Sequence, residues 1–327
     1  MKKKIALITG IAGQDGSYLS EFLLKKNYKV YGILPRRSNP EFQTYRIEKI
    51  LNKINLCYGD ILDKLTLDDL LKKIKPNEIY HLAAQSHVGV SFKSPFITTQ
   101  IDYVGVINIL DSIRINSPNS KFYNASTSEI YGNINKNNFI NERSEKDPVS
   151  PYGISKLAAY YLTKVYRDSY GLFTCNGILF NHESPRRGLN FVTAKIVKGA
   201  LEIKYKKKKF IELGYLDSNR DWGHAKDYVK AMWLMLQRNK ADDYVIATGI
   251  SKSVRDVCKL VFKKLNLGDY KKYIKINKRY LRPNELYHLR GDAKKAKKIL
   301  KWKTEISFEA MLDEMILELD KRFFPKK

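Results

Sequence analysis

From Ile5 onward, short apolar runs alternate with longer stretches in which apolar positions recur every three or four residues. The short runs have strand length and many β-branched or aromatic side chains: Ile5–Thr9, Lys29–Leu34, Ile54–Tyr58, Glu78–Ala83, Lys121–Ala125 and Phe173–Phe180. The periodic stretches between them, Ser17–Lys26, Thr66–Lys75, Ile97–Ile115 and Tyr152–Tyr170, predict amphipathic helices. Strand and helix in strict alternation predict an α/β chain with a doubly wound parallel sheet, because parallel neighbours need a crossover. Proline and glycine mark the joins, as at Lys75-Pro76-Asn77 and Tyr170-Gly171.

The rhythm changes after residue 180. A loop-rich segment, Asn181 to Asn190, precedes a basic helical stretch. A helix over Ala225–Gln237 and a strand over Asp243–Ala247 then return to the first sheet, and a last helix begins at Ser307. This divides the chain into a larger unit, residues 1–180 plus 221–250, and a smaller α/β cap, residues 181–220 plus 251–327.

Composition alters this picture little. The net charge of +26 comes from 60 Lys and Arg against 34 Asp and Glu, but the lysines are spread along the chain. They read as a solvated surface; nucleic-acid contact would rest on the single run Lys204–Lys209. The three cysteines have no CxxC spacing and the five histidines no HxxxH pair, so neither disulfides nor a metal is expected. No apolar run approaches the ~20 residues needed to span a bilayer, and Ile5–Ile8 is too short for a signal core. A cytoplasmic protein with no membrane partner is the expectation.

The first strand runs into Gly10-Ile11-Ala12-Gly13-Gln14-Asp15-Gly16 and then a helix. Glycines let the backbone turn tightly against a pyrophosphate, and the helix start supplies N–H donors and a positive dipole end. This is a Rossmann-type dinucleotide loop. An NAD site carries an acid about 20 residues further on; here stand Arg36 and Arg37, whose guanidinium groups suit the extra phosphate of NADP.

Tyr152 and Lys156 lie four apart on a helix opened by Ser150 as N-cap and Pro151 in the first turn. An ammonium beside a phenol lowers the phenol pKa, so the phenolate can take a proton from a sugar hydroxyl. Tyr45/Lys49, Tyr160/Lys164 and Tyr205/Lys209 have the same spacing. Tyr152 is distinguished by following the strand that ends at Thr127-Ser128-Glu129.

These motifs together resemble extended short-chain dehydrogenases. Longer stretches resemble the GDP-mannose 4,6-dehydratase family across nearly the whole chain: Ile8–Lys26, Ala125–Gly132, Cys175–Gly188, Arg220–Gln237 and Arg282-Pro283-Asn284-Glu285. The resemblance implies a tightly bound, recycled NADP and a GDP-sugar substrate. Tyr152, with Lys156 and Thr127, would deprotonate the hydroxyl on sugar carbon 4; Glu129 would take the proton from carbon 5, and water would leave from carbon 6. Ser128 stands where other dehydratases carry an aspartate acid. The resemblance also places Gln14, Asp15, Asp60, Ile61, His182 and Arg187 at the cofactor, with the stretch Leu82, Ala83, Ala84, Gln85 and Ser86. Ser86, Asn181, Lys195, Arg220, Arg282 and Glu285 would hold the nucleotide sugar.

A homo-oligomer is implied as well. The stretch Arg36–Leu56 is shorter than in typical relatives, where it joins paired dimers, so both dimer and tetramer stay open. A GDP-manno-heptose is the alternative substrate for the same reaction. An epimerase or reductase of this fold, or a nucleotide sensor without catalysis, are the readings from other classes. Glu129 speaks against the epimerase, because only elimination needs a second base, and the intact set Thr127, Glu129, Tyr152 and Lys156 speaks against the sensor.

Overall fold

The computed structural model describes residues 3–36, 44–133 and 139–325. Its centre is a seven-stranded parallel sheet in the order β3-β2-β1-β4-β5-β6-β10. The strands are β1 (Ile5–Thr9), β2 (Lys29–Leu34), β3 (Asn55–Tyr58), β4 (Glu78–His81), β5 (Lys121–Thr127), β6 (Thr174–Leu179) and β10 (Tyr244–Ile246). Chain order reverses between β1 and β4, which opens a crevice at the carboxyl ends of these strands.

Successive side chains of β1 point to opposite faces. Ala6 and Ile8 enter one apolar layer with α1 (Gln14–Lys25), whereas Leu7 enters the other with α2 (Lys64–Ile74). Short α3 (Val88–Ser91) and α4 (Pro95–Thr99) follow β4; α5 (Gly105–Asn116) and α6 (Pro151–Tyr170) complete the second layer. The stretch Ile97–Ile115, expected as one helix, is interrupted by a π-helical turn over Gln100–Val104. Such a turn inserts a residue and rotates the face presented inward. Asp102 lies on it, fully buried.

Ser150 caps α6 by accepting from Gly153 N at 3.1 Å, with Pro151 at the first turn. Gly171, at φ +66°, ends the helix. Beyond it, β7 (Asn181–Glu183), β9 (Asn219–His224) and β11 (Ser251–Ser253) form a three-stranded sheet, and β8 (Ile211–Leu213) pairs with β12 (Ile274–Ile276). A separate apolar cluster joins α7 (Val192–Lys204), α9 (Val254–Lys264) and α10 (Phe308–Phe323) through Ile196, Val257, Phe262, Met311 and Met315. Helix α8 (Ala225–Leu236) packs instead on the main sheet beside α1. So does the segment containing Ala293, Ala296, Leu300 and Trp302, which the sequence pattern grouped with the cap. Trp302 fixes it there by donating from Nε1 to Asp227 O at 2.8 Å.

Glu314 of α10 ties the last helix to the strand before α8. Its carboxylate lies 3.0 Å from His224 Nε2 and 2.7 Å from Lys226 Nζ. No helix among the described residues is long and apolar enough to cross a membrane. No group of three His, Cys, Asp or Glu side chains among them is arranged to hold a metal ion.

Candidate functional site

A cleft of about 1210 Å³ opens at the carboxyl ends of the central strands and runs under the cap. Its lining brings together segments from the glycine loop to Glu285.

At one end lies the glycine loop. Gly10 has φ +71°, and a Cβ there would sit 2.8 Å from Ala83 N; one on Gly16 would sit 2.3 Å from Gly10 O. Larger residues would therefore push the loop out of the turn that opens α1. The N–H groups of Gln14, Asp15 and Gly16 have no intrahelical acceptor, as at every helix start, and no side chain caps this one. An uncapped helix start behind a glycine cradle fits a pyrophosphate. Thr9 Oγ1 accepts from Leu82 N and Ala83 N at 3.1 and 3.2 Å, which draws the loop after β4 against it.

Asp15 adds a carboxylate to the same helix start. His182 Nε2 lies 2.8 Å from its Oδ2, while His182 Nδ1 lies 2.8 Å from Phe180 O. Burial works against charge on both side chains, yet their mutual attraction prevails: His182 is raised and Asp15 lowered from ordinary values. When protonated, His182 would screen the Asp15 carboxylate from an anion at this helix start. Its ring stacks on Tyr228 with centroids 4.5 Å apart.

The middle of the cleft holds Thr127, Ser128, Glu129, Tyr152 and Lys156. Strand β5 continues to Thr127, whose Oγ1 accepts from Glu129 N at 3.3 Å and starts a single 3₁₀ turn over Ser128–Tyr131. All five side chains are nearly buried. Lys156 Nζ donates to Ala125 O at 3.1 Å. The phenol of Tyr152 corrects the expectation of a lowered pKa. Burial pushes it up, the Asp102 carboxylate adds to the rise, and the neighbouring Thr127 hydroxyl only partly opposes them. The desolvation cost of a phenolate is the largest of these influences.

At the far end, Arg282 Nη1 donates to Glu129 Oε1 and Oε2 at 3.2 and 3.4 Å. Its Nε lies 3.9 Å from Glu285 Oε1, and Arg220 Nη2 lies 3.5 Å from the same oxygen. Burial pushes the Arg220 guanidinium down to about 10, with the carboxylates of Glu129 and Glu285 opposing. Lys195 Nζ stands 3.3 Å above the Tyr280 ring. Two arginines, a lysine and a carboxylate beside an aromatic ring suit a nucleoside diphosphate.

Ser86, Asp60, Ile61, Leu82, Ala83, Ala84, Asn181 and Arg187 also line the cleft. Gln85 does not: its amide donates to Thr98 Oγ1 at 3.0 Å and its Oε1 accepts from His87 N at 2.8 Å, so it staples the loop from behind. Arg36 is exposed and outside the lining, and Arg37 lies outside the described residues. Sequence reasoning missed His87 and Phe191, whose rings meet at 5.4 Å in the cleft wall. It also missed Asp102 below the cleft; an acid inside the apolar stretch Ile101–Val104 was the available signal.

A doubly wound sheet with a glycine loop and a Tyr/Lys pair defines a dehydrogenase-type nucleotide-sugar enzyme of the epimerase/dehydratase kind. Solved structures share the fold: a UDP-glucose 4-epimerase from Thermotoga maritima matches with TM-score 0.86 at 23% identity, over 97% of this chain and 99% of that one. A dTDP-glucose 4,6-dehydratase from Bacillus anthracis matches with TM-score 0.84 at 23% identity, over 97% of each chain. The family model described as GDP-mannose 4,6 dehydratase matches residues 7–315. The chain is 45% identical to the GDP-mannose 4,6 dehydratase of Drosophila melanogaster, over 96% of this chain and 86% of that one. It is 43% identical to the GDP-mannose 4,6-dehydratase of Vibrio cholerae, over 97% and 94% respectively. The chain belongs to the GDP-mannose 4,6-dehydratase family, whose members are hydro-lyases. The heptose alternative finds no support among these relatives.

Proposed function

We propose that this chain converts GDP-mannose to GDP-4-keto-6-deoxymannose by oxidation, loss of water and return of the same two electrons. The observation that carries this reading is the convergence of Thr127, Glu129, Tyr152 and Lys156 on one cleft that has a glycine cradle at one end and paired arginines at the other. The chemistry a bound NADP would supply is a hydride acceptor for carbon 4 and a donor for carbon 6. The glycine loop, the helix start of α1 and the His182–Asp15 pair would hold its pyrophosphate, and Arg36 with Arg37 would favour NADP over NAD.

The protein's own groups do the proton chemistry. Tyr152, ionised to the phenolate against the burial that opposes it, takes the proton of the carbon-4 hydroxyl, with Thr127 sharing its hydrogen bond and Lys156 supplying positive charge. A ketone at carbon 4 acidifies the proton on carbon 5. Glu129 removes it and, now protonated, gives that proton to the carbon-6 hydroxyl, which leaves as water; carbon 5 regains a proton from solvent as hydride returns to carbon 6, and Ser128 is the hydroxyl next to Glu129 in the chain. Arg220, Arg282, Lys195 and Glu285 orient the nucleotide, with Ser86 and Asn181 at the sugar.

The chain is proposed to act in the cytoplasm as a homo-oligomer. Ile154, Tyr161 and Val165 recur along one exposed edge of α6, beside exposed Phe96 and Ile97 of α4. An apolar stripe at helical spacing on the surface is the mark of an interface.

Incubation with GDP-mannose tests the assignment. The expected product is lighter by one water, absorbs in the ultraviolet in base as a 4-keto sugar does, and forms without net change in NADPH. Unchanged GDP-mannose, or stoichiometric loss of NADPH, would overturn it.

A further inference from the structure

The nucleotide end of the cleft balances its charges internally. Two guanidiniums, Arg220 and Arg282, face two carboxylates, Glu129 and Glu285, and all four side chains line the cleft. Arg282 Nη1 donates to the Glu129 oxygens at 3.2 and 3.4 Å, and its Nε lies 3.9 Å from Glu285 Oε1. Arg220 Nη2 lies 3.5 Å from that same Glu285 oxygen.

A nucleoside diphosphate brings further negative charge to this quartet. A phosphate is gripped most firmly by two parallel N–H groups along one edge of a guanidinium. On Arg282 one such edge includes Nη1, which Glu129 holds, and the other includes Nε, which faces Glu285. A phosphate that takes either edge therefore competes with a carboxylate.

The two carboxylates differ in what they would lose. Glu285 keeps Arg220 and also accepts from Leu286 N at 3.1 Å. Glu129 is nearly buried, and among the described residues only Arg282 donates to its carboxylate. Without that donor it becomes a desolvated carboxylate with no hydrogen bond, which is a stronger proton acceptor than a paired one. Arg282 is free to change rotamer: it stands in an irregular segment after Tyr280, and its side chain is 26% exposed.

We propose that Arg282 is a positioning residue that exchanges partners. In the free enzyme it holds Glu129. When the nucleotide sugar binds, it passes to the diphosphate and releases the carboxylate to act on carbon 5. The elimination base is thereby unmasked only behind a bound substrate.

Resting on the GDP assignment made above, the exchange is tested with GDP itself. Crystal structures of the NADP-loaded enzyme should show the Arg282–Glu129 hydrogen bonds without GDP and Arg282 on a phosphate oxygen with it. This comparison needs no variant, so it decides even where a substitution unfolds the chain. Calorimetric titration gives the solution half. Glu129→Gln removes the competitor and should tighten GDP binding about tenfold, a usual size for coupling between two groups that share a partner. The same substitution in an Arg282→Gln background should leave GDP affinity within about twofold. General repulsion between Glu129 and the phosphates would instead give the gain in both backgrounds. An unbroken Arg282–Glu129 contact with GDP bound, an equal gain in both backgrounds, or no gain in either would overturn the exchange alone. GDP that binds none of these proteins would sink the nucleotide assignment with it.

Discussion

Arg282 reaches across from the cap side of the cleft and donates to both carboxylate oxygens of Glu129 through one nitrogen, Nη1, at 3.2 and 3.4 Å. The contact joins residues 153 positions apart in sequence. It means that the group assigned to the carbon-5 proton is oriented by the lobe that would bind the nucleotide.

Glu129→Gln keeps the size of the side chain and an oxygen for Arg282 but removes the base. Turnover of GDP-mannose should fall at least ~100-fold, the usual effect of losing a general base. Cofactor affinity should be unchanged, because Glu129 lies away from the glycine loop. Steady-state kinetics beside a cofactor fluorescence titration checks both halves. Near-normal turnover would remove the elimination role.

The opposite pattern is expected at Gly16. A methyl group there would lie 2.3 Å from Gly10 O and 2.6 Å from Ile11 Cα, both backbone atoms that cannot step aside. Gly16→Ala should weaken cofactor binding by at least ~10-fold, about 1.4 kcal/mol, as read by the same titration. Binding at full strength would mean that the loop does not hold the pyrophosphate.

Arg36 and Arg37 test the choice between NADP and NAD. Replacing both with alanine removes the two guanidiniums proposed for the 2′-phosphate. Charge-assisted hydrogen bonds contribute roughly 1.5–3 kcal/mol each, so the NADP/NAD ratio of kcat/KM should drop by at least ~10-fold. An unchanged ratio would place phosphate recognition elsewhere.

Glu314 predicts a pH-dependent stability. Hydrogen bonds from His224 and Lys226 outweigh burial and hold its carboxyl down at about 2, against 4.5 ordinarily. A depressed acid stabilises the fold above its unfolded value, and that stabilisation is lost as pH falls from 4.5 toward 2. Glu314 is 30% exposed, so solvent screening reduces the effect. Glu314→Gln should cost about 1–2 kcal/mol in urea unfolding at pH 7, with a smaller deficit at pH 3. An equal deficit at both would assign the effect to packing of α10.

The strands and the glycine loop were legible because their signals are local. Apolar alternation places β1 at Ile5–Thr9, and a strand followed by Gly10, Gly13 and Gly16 has few other uses. The pairing of Ser150 with Gly153 N was legible for the same reason. The misses depend on tertiary context. Periodicity over Ile97–Ile115 could not reveal the π-turn, because one inserted residue hardly changes the apolar pattern while it turns Asp102 inward. Gln85 was assigned to the cofactor with its neighbours, yet its amide is taken by Thr98 and His87 on the far side of the loop. For Tyr152 the spacing to Lys156 was read correctly and the direction of the pKa was not, since burial is invisible in a sequence. The residues from Ala293 to Trp302 follow the cap in sequence but find their apolar partners on α8.

One consequence concerns how this chemistry can be redesigned. Glu129 sits with Ser128 in one short turn that Thr127, the last residue of β5, caps, whereas Tyr152 and Lys156 stand on a separately capped helix. If these roles hold, the elimination step can be edited apart from the oxidation. An engineer seeking the carbon-4 ketone alone would change Glu129, leave Thr127 and the helix untouched, and add an external oxidant to re-form NADP⁺ after each turnover.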